Sequence, residues 1–144
     1  MKINITKSKR KTPCKECPFS KTNILDDADK PGGSDVTVYI GQIQGPFWLP
    51  CHMDKHYNGK ISNPAEVDQC AGAAIFRANL KKEGKMMFNL PQQLMFLSSD
   101  TKKVFTNFNE FYAHYKDISL SQAKEFLTKK KLQELLTKEL LEVY

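Results

Sequence analysis

The chain has four cysteines, all in its first half, and each sits beside or close to a residue that restricts or frees the backbone. Cys14 and Cys17 lie in Pro13-Cys14-Lys15-Glu16-Cys17-Pro18-Phe19, Cys51 in Pro50-Cys51-His52, and Cys70 in Gln69-Cys70-Ala71-Gly72. A C-x-x-C turn presents two sulfurs to one side, and two further thiols brought in from a distance complete a set of four. That set suits a soft metal ion or an iron–sulfur cluster. A fold that gathers these four must bring three separate segments to one point, and this constrains the chain more than any other feature.

The rest of the chain limits what can surround such a site. With 144 residues, of which 40% are hydrophobic and 26% charged, there is room for one domain and one core. No apolar run approaches the roughly 20 residues that span a bilayer. The N-terminus Met1-Lys2-Ile3-Asn4-Ile5 lacks the apolar segment of a secretory signal. A cytoplasmic setting is therefore expected, with the cysteines as reduced ligands. Two disulfides are the alternative if the chain is exported.

The division expected is a basic arm over 1–12, a cysteine-rich metal-binding core over 13–84, and a helical part of the same domain over 85–144. The net charge of +6 equals the excess of residues 1–21 alone, where Lys2, Lys7, Lys9, Arg10, Lys11, Lys15 and Lys21 face only Glu16. Lys7, Lys9, Arg10 and Lys11, leading directly into the first cysteine pair, are candidate contacts to the phosphates of a nucleic acid. A solvated terminus is the plainer reading of the same charges.

Ser34 is a plausible N-cap for a helix carrying Val36, Tyr39, Ile40 and Ile43, although Val36-Thr37-Val38 also suits a strand. Phe47-Trp48-Leu49 is expected to cover the metal site, with Trp48 as a base-stacking platform in the alternative. Asn63-Pro64 reads as a helix start. It would put Cys70 about two turns into a helix, on the apolar face formed with Val67, Ala71, Ala74, Ile75 and Ala78, and Gly84 would stop it. Arg77, the strong charge in that apolar run, is expected to answer a carboxylate or, failing that, a phosphate. Asn107 with Glu110 and Ser119 with Gln122 are capping signatures. A last amphipathic helix carries Leu132, Leu135, Leu136, Leu140 and Val143; it either packs on the body or forms a dimer contact. The fold class expected is mainly α, or α+β if the N-terminal arm pairs as a strand. It is a small domain organised around a four-cysteine metal site.

For the cofactor, zinc comes first and a four-iron cluster second. One pair plus two single cysteines is allowed for both, and a proline directly after a cysteine is familiar among cluster ligands. His52 is an alternative ligand or a group behind the ligands, because neighbouring side chains rarely bind one ion. Four thiolates leave no open position, so such a site is structural. His52, Asp54, His56 and Asp68 could act as bases, but their spacing matches no H-E-x-x-H arrangement. There is also no phosphate-binding glycine loop and no nucleophile elbow. His56 and His114 read as solitary solvated or core histidines.

Taken in order, Cys14-x-x-Cys17-Pro18-Phe19, Pro50-Cys51-His52 and Gln69-Cys70-Ala71-Gly72 resemble an uncharacterised family of small phage and bacterial proteins. Its members carry C-x-x-C-P followed by Phe or Trp, then C-H, then C-A-G. The resemblance covers about residues 13–80. It implies that Cys14, Cys17, Cys51, His52 and Cys70 share one site, and it implies a phage source, hence the host cytoplasm; it supplies no activity. The function expected is a non-enzymatic, metal-stabilised binding protein that contacts nucleic acid through its arm. One alternative is an iron–sulfur protein in nucleic-acid processing or redox regulation. The other is a protein-interaction module that modulates a host or partner enzyme through its C-terminal helix.

Overall fold

In the computed structural model, residues 13, 17–21, 34–47, 49, 70–86, 90, 94 and 97–143 are described. Five helices succeed one another among them: α1 (Val36–Gln44), α2 (Ala71–Lys82), α3 (Phe108–Lys116), α4 (Leu120–Phe126) and α5 (Lys129–Val143). The described part is thus mainly α. Its one β feature is an isolated antiparallel bridge between Ser20 and Val104, flanked by bonds from Lys21 N–H to the Lys103 carbonyl and from Phe105 N–H to the Phe19 carbonyl. The strand suggested by Ile3 and Ile5 lies outside the described residues.

Local chemistry accounts for most helix ends. The helical alternative wins at Val36-Thr37-Val38, and the N-cap is Asp35, one residue after the expected Ser34; its carboxylate accepts from Thr37 N–H. A side-chain acceptor at this position satisfies an N–H that no carbonyl of the helix can reach. Asn107 caps α3 through Glu110 N–H, and Ser119 with Gln122 forms a complete capping box on α4. Gly84, at φ +69°, ends α2. There Lys85 N–H reaches the Leu80 carbonyl and Gly84 N–H the Lys81 carbonyl, the pair of bonds that a left-handed residue makes at a helix end.

The core is aromatic. Phe19 lies 5.4 Å from Tyr39, 5.6 Å from Phe76 and 5.5 Å from Phe111, ring centre to ring centre. Phe76 in turn meets Phe108 and Phe111 at 5.5 and 5.3 Å. Residues from both halves of the chain therefore bury into one cluster, and Phe19, two positions after Cys17, is at its centre. Elsewhere α5 lies against α1, burying Leu135 and Leu136. The packing is close at Gly41, where a Cβ would stand 2.5 Å from the Leu135 carbonyl oxygen.

Candidate metal centre

Cys17 and Cys70 are the two cysteines among the described residues, and the fold brings them together across 53 positions of sequence, Sγ to Sγ 3.3 Å. Both are buried, at 1% and 6% exposure. The separation is well beyond the roughly 2.05 Å of a disulfide, so the two are not bonded to each other.

The three residues after Cys17 hold it in place. Ser20 N–H closes a turn on the Cys17 carbonyl, Pro18 offers its carbonyl to the Tyr115 hydroxyl, Phe19 anchors in the aromatic core, and Ser20 pairs with Val104. Pro18, with φ fixed and no N–H to satisfy, suits this turn.

Cys70 corrects the sequence reading. It does not lie within a helix; it is the N-cap of α2, with extended backbone at φ −59° and ψ 120°. Its N–H bonds the Leu49 carbonyl at 2.7 Å rather than a carbonyl one turn earlier. The Cys70 sulfur therefore sits at the start of α2, where the partial positive charge of unsatisfied N–H groups favours a neighbouring anion. Gly72 forms the floor of the site. A Cβ there would collide with the Cys17 sulfur, and would stand 3.3 Å from Phe19 Cβ and 3.6 Å from the Cys70 sulfur.

Arg77 has backbone partners that its place in an apolar run did not foretell. Its side chain, fully buried, is taken up by backbone carbonyls at the end of α1: Nε donates to Ile43 at 3.0 Å, and one terminal nitrogen to Gln42, Gly45 and Phe47 at 3.1, 2.9 and 2.9 Å. The carbonyl end of a helix is the negative end of its dipole, so these carbonyls suit a buried cation. Burial pushes the guanidinium down to about 10, while its Coulombic interaction with nearby Cys70 raises it. Arg77 and Cys70 thus both grip the segment that leads to Cys51, Arg77 through the Phe47 carbonyl and Cys70 through that of Leu49.

Leu49 belongs to the core and Phe47 packs against it. Cys14, Cys51, His52, His56, Trp48 and the arm residues Lys7, Lys9, Arg10 and Lys11 lie outside the described residues. Among the described ones, no group of three His, Cys, Asp or Glu converges. Lys21, counted with the basic arm, is committed to the fold: its Nζ meets Glu110 at 2.9 Å and the Thr101 carbonyl at 2.7 Å. His114 is exposed, with its ring 5.0 Å from Phe105 and 4.8 Å from Tyr115.

The sequence reading missed several buried polar groups, Asn79 among them. Asn79 accepts from Ser99 Oγ and Asp100 N–H and donates to the carbonyls of Asp100 and Phe105, fastening the 99–105 segment that pairs with Phe19 and Ser20. A lone asparagine in an apolar helix was the only signal for it. No helix among the described residues is long and apolar enough to cross a membrane. No protein-family model, curated protein or solved structure matches the chain.

Proposed function

We propose that this chain is a small, non-enzymatic binding protein in which Cys14, Cys17, Cys51 and Cys70 hold a structural metal centre, and that the centre anchors a basic arm that contacts nucleic acid. The observation that carries the reading is the meeting of the Cys17 and Cys70 sulfurs, 3.3 Å apart and buried, at the N-terminus of α2. Covalent reach supports the other two ligands. Cys14 precedes Cys17 by three residues, and Cys51 comes two residues after Leu49, the Cys70 partner. Spans of at most about 11 and 7 Å bring both within range of one centre.

Metal binding of this kind supplies folding energy to a domain whose core is small, and it uses up every coordination position, leaving none for a substrate. What remains for function is the surface that the centre presents. Lys2, Lys7, Lys9, Arg10 and Lys11 all fall in the arm, which joins the first cysteine pair without a linker. The motif resemblance points to a phage or bacterial setting, where such an arm would meet the host's nucleic acids. In the C-terminal helix Leu135 and Leu136 are buried against the body and Leu132 is partly buried there, while Leu141 is exposed.

The test is binding of duplex and single-stranded oligonucleotides by the full chain and by a variant with Lys7, Lys9, Arg10 and Lys11 all changed to Gln. Each phosphate that is no longer neutralised takes about 0.7–0.9 off the slope of log K against log salt. The reading predicts weaker binding and a flatter salt dependence for the variant; unchanged affinity and slope would reject the arm.

A further inference from the structure

Two sulfurs that share one ion and two sulfurs that serve a cluster are spaced differently. With metal–sulfur bonds of about 2.3 Å at the tetrahedral angle, thiolates on a single ion stand about 3.8 Å apart. In a four-iron cluster each cysteine binds its own iron at a separate corner of the cube, so the thiolates diverge and lie much further apart. Cys17 and Cys70 stand at 3.3 Å. Opening by about half an ångström accommodates one ion held by both.

The surroundings resist any larger opening. Cys17 Sγ occupies the space that a side chain at residue 72 would fill, so the backbone of α2 blocks movement in that direction. Phe19 Cβ is beside the same spot, and the Phe19 ring is fixed among Tyr39, Phe76 and Phe111. Cys70 is tied at its own N–H to Leu49 and through its carbonyl to Ala74 N–H. Parting the sulfurs by the width of a cube would require Cys17 to leave its place over Gly72 or Cys70 its place at the start of α2.

We propose that the Cys17–Cys70 pair takes a single thiophilic divalent cation, zinc by its affinity for thiolate ligands, and not a four-iron cluster, with Gly72 as the positioning residue that seats Cys17 over α2. This rests on the metal centre proposed above and adds which chemistry fills it.

The experiment is metal and sulfide analysis with a visible spectrum, on the full chain produced in medium supplying both iron and zinc and purified without air. About one zinc per chain in a colourless protein is expected. Exchange with Co²⁺ should then give the intense blue-green absorption of a tetrahedral thiolate site. Iron with acid-labile sulfide, in four-iron or two-iron ratio, overturns the single-ion inference and leaves the metal centre standing. A chain without metal, unable to take up Zn²⁺ or Co²⁺, overturns both. Gly72→Ala should weaken zinc binding by about 10–100-fold, and an unchanged affinity overturns the role given to Gly72. Should that variant not fold, the metal content of the parent chain still decides between ion and cluster.

Discussion

Arg77 shows how one residue can serve a site that it does not ligate. Its four donated bonds tie the end of α1 and the segment after it to α2, about two turns beyond Cys70. Arg77→Met would take a donor from each of those carbonyls, of which Gln42 keeps Gly45 N–H, and should cost about 3 kcal/mol or more, read as a lower denaturation midpoint. Arg77→Lys should recover only part of this, because an ammonium lacks the planar fork that reaches several acceptors at once. The pH dependence has a definite sign. A base held at about 10 when folded, below its ordinary range when unfolded, costs stability wherever it is charged, and the cost is relieved only as pH rises past 10. The stability difference between Arg77→Met and the parent should therefore stay flat between about pH 6 and 9; a slope there would mean that another group titrates with it. The oddity of Arg77 in an apolar run was legible in the sequence. Its partners were not, because backbone carbonyls at the end of a distant helix leave no mark in residue type.

Among the helices, the packing of α1 on α5 turns on Gly41. Alanine is the better helix former by about 1 kcal/mol, yet Gly41→Ala should lower the melting temperature, since its Cβ would meet the α5 backbone and Glu139 Cγ. A higher melting temperature would show that α5 yields at no cost. The charges of α5 run against stability too: Lys129, Lys130 and Lys131 occupy its first turn, with no acid there and no base in its last. Thr128 caps that turn, its hydroxyl accepting from Lys131 N–H. Changing the three lysines to Gln should raise the melting temperature by removing cations from the positive end of the dipole. Helix starts set by neighbouring residues, such as Ser119 with Gln122 and Asn107 with Glu110, could be read directly from the sequence. Cys70 could not, because its N–H is satisfied by Leu49, a distant partner that no local pattern encodes.

At the scale of the whole molecule, an aromatic core includes the buried Cys17 and Cys70 sulfurs, on which the proposed metal centre rests. Phe19 belongs to the core and Cys17 to the centre, so loss of the centre should loosen the turn from Cys17 to Ser20 and, with it, the Ser20–Val104 pairing. Acid should act in the same direction, since each thiolate must take up a proton before the metal leaves. Mainly helical architecture and the pairing of Cys17 with distant Cys70 were both within reach of spacing and motif. How closely the sulfurs approach depends on Gly72 and the aromatic packing around Phe19, which only the folded chain displays. The most direct test of a thiolate-held metal compares the mass of the intact chain under native and denaturing conditions, for the parent and for Cys17→Ser. A bound metal is expected in the native parent, absent from the variant and removed by a strong chelator together with a fall in melting temperature. A metal-free native parent whose melting is indifferent to chelator and to Cys17→Ser would contradict it.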